Sequence, residues 1–107
     1  VNFLDDSFEI RWDKKAVEFL RKLNRSVSRR IVKKVDEMRR DPNRYLEPLR
    51  EVSVYKLRVG DYRVIVDVDW KQKIIFVLLI GHRRKIYKRL NLKKKQPRKR
   101  KKLERII

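Results

Sequence analysis

Lys56, Arg58, Arg63, Arg83 and Tyr87 are the residues whose types and spacing suit them to chemistry. They fall in two signatures, Val54-Tyr-Lys-Leu-Arg-Val-Gly-Asp-Tyr-Arg-Val-Ile-Val66 and Gly81-His-Arg-Arg-Lys-Ile-Tyr87. Read with the period of a strand, the first run turns Lys56 and Arg58 to one face and Tyr55, Leu57 and Val59 to the other. Beyond Gly60-Asp61, Arg63 shares a face with Ile65, while Tyr62, Val64 and Val66 take the opposite one. Such a hairpin gathers three cations on one side of a sheet. Arg83 and Tyr87 add a fourth cation and an aromatic edge. Guanidinium forks match phosphate oxygens, so this platform suits a phosphodiester better than an apolar metabolite.

The elements that must carry these residues follow from periodicity. Phe8-Glu-Ile-Arg-Trp12 alternates as a half-buried strand does. Asp13 is a suitable N-cap for a helix over Lys14 to Leu23, with Ala16, Phe19, Leu20 and Leu23 on one face. Asn24 and Ser26 interrupt it and cap a second helix, whose buried stripe is Val27, Ile31, Val35 and Met38. Asp41-Pro42-Asn43 ends that helix. A polar connection from Arg44 to Glu51 leads into the hairpin, where Gly60-Asp61 is the tight turn. A second turn spans Asp67 to Lys73. The run from Ile74 to Ile80 is apolar on both faces, the mark of a central strand, and Gly81 is expected to break it. Arg83 to Leu90 reads equally as a short helix or an extended segment. The order is β-α-α-β-β-β: an α+β fold with a small, mostly antiparallel sheet packed on a helical hairpin.

Composition narrows the partners. The 107 residues make one domain with a modest core, at a formal net charge of +19. That charge points to a polyanion, with nucleic acid ahead of an acidic protein and an anionic membrane last. No apolar run is long enough to cross a bilayer, and no signal peptide is visible, so a soluble cytosolic protein is expected. Disulfides are excluded by the lack of cysteine, and His82, the one histidine, cannot make a zinc site. Charged residues reach 44% of the chain. Heat adaptation and nucleic-acid binding explain that equally well. From Asn91 the composition changes: Lys93, Lys94, Lys95, Arg98, Lys99, Arg100, Lys101, Lys102 and Arg105 stand against a single acid, Glu104. Like charges at this density repel. The expectation is a folded unit over 1–90 and a flexible basic arm over 91–107 that binds RNA without sequence preference.

The order of elements and the two signatures resemble the RelE toxins of prokaryotic toxin–antitoxin systems, over roughly Phe8 to Leu90. The most specific parts are Tyr55-Lys-Leu-Arg-Val-Gly-Asp-Tyr-Arg63 and Gly81-His-Arg with Ile-Tyr87. The resemblance implies a microbial-ribonuclease-like fold and a toxin that enters the ribosomal A site and cuts the messenger. It places the catalytic positions on Lys56, Arg58, Arg63, Arg83 and Tyr87. It implies a ribose 2′-OH attacking the adjacent phosphate, with no metal or cofactor. The implied partners are a RelB-like antitoxin, the ribosome and its rRNA, messenger RNA and, through the antitoxin complex, operator DNA. No membrane is among them.

One departure bears on mechanism. The family's best-known pattern has lysine at both positions of the first hairpin strand, and here the second is Arg58. Arginine stays protonated at neutral pH and cannot be the base. Lys56 can, if crowding by Arg58, Arg63 and Arg83 disfavours its charged form; Tyr87 is the other proton-transfer candidate. Simpler readings stand beside these. Lys56 and Arg58 would also suit an ordinary solvated strand face, and Arg63 an ion pair with Glu51, Asp61 or Asp67. Tyr62 reads as core filling, His82 as structural, and Trp12 and Trp70 as caps on the sheet. Two other functions compete: a ParE-like toxin that cuts no RNA, and a basic nucleic-acid-binding module without toxicity. ParE-type chains generally lack the paired cations of the first hairpin strand, which weighs against that branch.

Overall fold

The computed structural model describes residues 6–49 and 52–94, with the side chains of Tyr87, Leu90 and 91–94 left outside that description. Strand β1 (Glu9–Trp12) is followed by helices α1 (Lys14–Lys22) and α2 (Arg25–Met38). Both caps are the expected ones: Asp13 accepts from the Lys15 N–H at 2.9 Å and Asn24 from the Ser26 N–H at 2.8 Å. Helix α2 ends at Met38, before the Asp-Pro pair. Pro42 instead opens a one-turn helix, α3 (Pro42–Tyr45), because the N–H that proline lacks is not needed at a first helical position. The expected connection from Arg44 to Glu51 also contains a two-residue strand, β2 (Glu47–Pro48). It is too short to show a period, and its proline is tolerated because the strand lies at the sheet edge.

Strands β3 (Tyr55–Val59), β4 (Tyr62–Asp69) and β5 (Ile74–His82) complete a five-stranded sheet in the order β1-β5-β4-β3-β2. Only the β1–β5 pairing is parallel. The architecture is the expected α+β one, mostly antiparallel; β5 is an interior strand between β1 and β4, and β4 takes the central place. Two boundaries differ from the sequence reading. Asp67 to Asp69 are ladder residues paired with Phe76 to Ile74, so the turn is shorter than expected. Gly81 does not break β5; it pairs with Arg63, and the strand runs on through His82. The ambiguous segment after it is a helix, α4 (Arg83–Lys94), which continues past Leu90. No described helix is long and apolar enough to cross a membrane.

The two sheet faces are covered unequally. The main core lies under α1 and α2, where Ala16, Ile31, Val35 and Met38 meet Leu57, Val64, Val66, Ile75, Val77 and Ile80. A β-bulge makes this possible: Ile65 pairs with Leu79 but Val66 with Val77, which leaves Leu78 without an opposite residue. The bulge resets the alternation of β5, so Ile80 and Val77 both reach the helical side. On the other face a small cluster of Ile65, Leu79 and Ile86 seats α4, with Leu49 and Val54 at its margin. Phe8 and Tyr55 meet the ring of Trp70 edge-on at the far end of the sheet. Tyr62 packs between Phe19 and His82.

Helix α2 is tied to the start of β1 by Arg39, whose carbonyl accepts from the Phe8 N–H at 2.9 Å and whose Nη1 donates to the Phe8 carbonyl. Asp36 holds that arginine through a 2.8 Å bond from Arg39 Nε, which keeps the Asp36 carboxyl below its usual range. A depressed carboxyl stabilises the fold above its unfolded pKa, and this contribution is lost as pH falls through the folded value. Asp36→Asn is therefore expected to lower the melting temperature at pH 7, with the deficit shrinking between about pH 5 and about pH 3. Thermal melts of parent and variant across that range check it.

Candidate functional site

The expected cations converge on the sheet face that carries α4. Cross-strand pairing sets them in two rows. Glu47, Lys56, Ile65 and Leu79 form one, and Arg58, Arg63 and Gly81 form the other. Arg58 and Arg63 stand directly opposite each other, a like-charge pairing that costs stability unless something offsets it. Glu47 supplies part of the offset: its Oε1 lies 3.3 Å from Arg58 Nη2 and 3.6 Å from Lys56 Nζ. Arg58 is largely open to solvent, whereas the Lys56 side chain is 18% exposed.

Arg63 is held differently from its neighbours. It is 8% exposed, and its Nη1 donates to the carbonyls of Gly60 at 2.9 Å and Tyr62 at 2.8 Å. The structure gives it backbone carbonyls rather than the ion-pair partners Asp61 or Asp67, and Glu51 is outside the described residues. Its Nε is buried with no hydrogen-bond partner among the described residues. A buried donor left unmet costs about 1–3 kcal/mol, and an anionic oxygen placed beside it would recover that loss.

Arg83 opens α4 at the end of the hairpin. Its backbone N–H donates to the Asp61 carbonyl at 2.8 Å, and its Nε lies 3.7 Å from Asp61 Oδ1. About half of the side chain remains exposed. The His82 Nδ1 accepts from the Arg84 N–H at 3.3 Å, and its ring meets Tyr62 edge-on. Tyr87 follows Ile86 on α4, and its side chain lies outside what is described. Lys93 and Lys94 are the last residues of α4, while Lys95, Arg98, Lys99, Arg100, Lys101 and Lys102 lie outside the described residues.

Two participants escaped the sequence reading. Glu47 sits on the strand too short to show a period. Arg89 lies three residues beyond Ile86 on α4. A Cβ built on Gly81 would come within 2.9 Å of Ile86 Cδ1 and 3.5 Å of Arg89 Nη1. Gly81 therefore lets the helix settle close to the sheet and brings Arg89 over the row that holds Arg63. The i, i+3 spacing from a buried isoleucine was the available signal. Among the described residues, no group of three or more His, Cys, Asp or Glu side chains is placed to hold a metal ion.

The arrangement is a rim of cations around a nearly buried arginine, with the Glu47 carboxylate at its outer edge and Asp61 beside Arg83, on a fold held by a toxin family. The model of that family, the ParE toxin of type II toxin–antitoxin systems (parDE), matches residues 10–87. The chain belongs to this family, within the RelE/ParE superfamily, and is a type II toxin–antitoxin toxin. Its fold is similar to the RelBE2 toxin–antitoxin complex of Mycobacterium tuberculosis, at 25% identity over 72% of this chain and 92% of that one, TM-score 0.68. It is also similar to the archaeal RelE–RelB complex of Pyrococcus horikoshii, at 27% identity over 72% and 96%, TM-score 0.60. The chromosomal ParDE system of P. aeruginosa shares the fold, at 18% identity over 72% and 97%, TM-score 0.60. No curated protein matches the sequence.

The geometry of Arg63 yields a stability prediction. Arg63→Gln removes a charged donor from two turn carbonyls, and hydrogen bonds to charged groups contribute about 1.5–3 kcal/mol. Chemical denaturation should register a loss of that order. The equivalent change at exposed Arg58 should leave stability unchanged or raise it, because it relieves the repulsion across the ladder.

Proposed function

We propose that this toxin is an endoribonuclease that cuts messenger RNA in the ribosomal A site. The observation that carries the reading is the pairing of Arg58 with the nearly buried Arg63, beside Lys56 and Arg83, on one sheet face. A ribose 2′-OH attacks the adjacent phosphate, the bond to the 5′-oxygen breaks, and a 2′,3′-cyclic end and a 5′-OH result. Negative charge accumulates on the phosphate oxygens in the transition state. Donors already fixed around that position stabilise it without reorganising. Arg63 is fixed by its carbonyl clamp, and Arg83 is anchored by the Asp61 carbonyl.

Proton transfer needs a base and an acid. Arg58 is excluded as base by its permanent charge. Glu47 is the one carboxylate placed between Lys56 and Arg58, and a carboxylate can accept a proton at neutral pH without first losing one. We assign the base to Glu47, with Lys56 holding charge beside it. Tyr87 is assigned to the leaving 5′-oxygen by resemblance alone. An antitoxin segment that is acidic and amphipathic would silence the toxin by covering Lys56, Arg58, Arg63 and Arg83, since complementary potential favours capture of a chain at +19. The similar structures solved with RelB antitoxins support that pairing. A second reading follows from the family description itself: a ParE-like toxin that arrests growth without cutting RNA.

Messenger cleavage on programmed ribosomes separates the two. The parent should cut, and Arg83→Ala should cut about a hundred- to a thousand-fold more slowly while melting as the parent does. Growth arrest without cleavage would transfer the chain to the ParE-like branch. Glu47→Gln should bind RNA more tightly, because it removes the carboxylate competing for Lys56 and Arg58, yet turn over more slowly. If Glu47→Gln cuts at the parental rate and Lys56→Met does not, the base is Lys56.

A further inference from the structure

The cations around the hairpin are not all held alike. Glu47 stands at the outer edge with Lys56 and Arg58, and Asp61 stands beside Arg83 at the turn. Arg89 is exposed on α4 and has no hydrogen bond or ion pair among the described residues. Its guanidinium nevertheless lies over the sheet, with Nη1 3.5 Å from where a Gly81 Cβ would stand. An exposed arginine without a partner ordinarily keeps its rotamer freedom in water.

Strand register gives the neighbours of that guanidinium. Gly81 pairs with Arg63, and Arg63 pairs with Arg58. Residues directly opposite on antiparallel strands have Cβ atoms about 5 Å apart. The head of Arg89 therefore stands at the β5 end of a row whose next two members are Arg63 and Arg58. Glu47 reaches only the far end of that row, at Arg58. Arg63, in the middle, is 8% exposed, and its Nε has no hydrogen-bond partner among the described residues. Like charges set side by side repel, and a buried donor left unmet costs stability. An anion entering between Arg63 and Arg89 relieves both.

Helix geometry separates this place from the one Arg83 serves. Arg83, Ile86 and Arg89 recur every three residues, so the two arginines flank the isoleucine that seats α4. Six residues of helix put them about 9 Å apart along its axis. Arg83 is drawn to the turn by Asp61, whereas Arg89 reaches over Gly81. Two anchored arginines that diverge in this way suit neighbouring phosphates of one strand better than a single phosphate group.

We propose that Arg89 is a further substrate-binding residue, which holds the phosphodiester next to the one received by Arg58, Arg63 and Arg83. This rests on the proposed reading's placement of a phosphate in the site, and it makes the ligand a strand of at least two phosphates. Gly81 is then the notch that lets α4 deliver the second cation.

The test uses the full chain and compares a 2′-O-methylated dinucleotide, with one phosphodiester, to the trinucleotide, with two. Both lack terminal phosphates, and 2′-OH attack can cleave neither. The trinucleotide can place either of its phosphates in the site, so the comparison holds for either strand direction. The parent should bind the trinucleotide more tightly than the dinucleotide. Arg89→Gln should weaken trinucleotide binding about fivefold, the scale of one solvent-exposed ionic contact, and leave the dinucleotide within about twofold. Lys88→Gln removes the same charge from an exposed position two residues past Ile86, on the outer side of α4, and should leave both ligands within about twofold. Equal losses on the two ligands in Arg89→Gln would overturn the proposal, because Arg89 would then act on the first phosphate or through net charge. Equal effects of Arg89→Gln and Lys88→Gln would overturn it too, as would a parent that binds neither ligand. If Arg89→Gln melts lower than the parent, the ratio of the two affinities still decides, since damage to the site weakens both. Messenger cleavage on programmed ribosomes tests the earlier reading separately: a chain that cuts nothing, yet distinguishes the two ligands through Arg89, loses the nuclease and keeps the second phosphate contact.

Discussion

The Gly60-Asp61 turn is the constraint on which the site rests. Gly60 has a φ of +59°, a left-handed conformation that glycine adopts without steric cost. Its carbonyl accepts from Arg63, and the Asp61 carbonyl accepts from the backbone N–H of Arg83. Arg30 lies against its Cα side. One turn therefore fixes a buried arginine, the first residue of α4 and a helical cation. A side chain at residue 60 would strain the backbone and press on Arg30 together, so turn geometry and charge placement are one requirement.

The site also depends on how like charges are kept adjacent. Arg58 opposite Arg63 would separate the strands in water if nothing opposed the repulsion. The protein offsets it by two means: the ladder continues past the pair to Gly81 in the interior strand β5, and a carboxylate stands at the outer edge. Burial adds a third effect. Arg63 sits under low exposure with carbonyls at Nη1 and no partner at Nε among the described residues. A surface arginine paired to a carboxylate would be more stable and less able to bind phosphate.

Much of this was legible from residue order. The caps at Asp13 and Asn24, the stripe of Ile31, Val35 and Met38 and the shared face of Lys56, Arg58 and Arg63 follow from periods of 3.6 and 2 acting over several residues. What escaped depends on tertiary context. The two-residue β2 has no period, and only pairing with β3 defines it. The bulge at Leu78 cannot be read from a run apolar on both faces, because either alternation fits. Gly81 looked like a breaker because glycine weakens strands in general; here the approach of Ile86 and Arg89 explains it. The burial of Arg63 was invisible too, since its neighbours Tyr62 and Val64 point to the other face.

Glu47 links binding to chemistry on the proposed reading. In the free protein its carboxylate occupies the position between Lys56 and Arg58 that a phosphate would also favour. An entering phosphodiester competes for the same two cations and carries charge that repels Glu47. As the phosphate takes over those contacts, the carboxylate is released from Lys56 and Arg58. On the proposed reading it is then free to turn to a 2′-OH that arrives nearby. Arginine in place of a second lysine is then consistent with the design: Arg58 keeps its charge throughout, and the proton moves to the group that substrate binding has released.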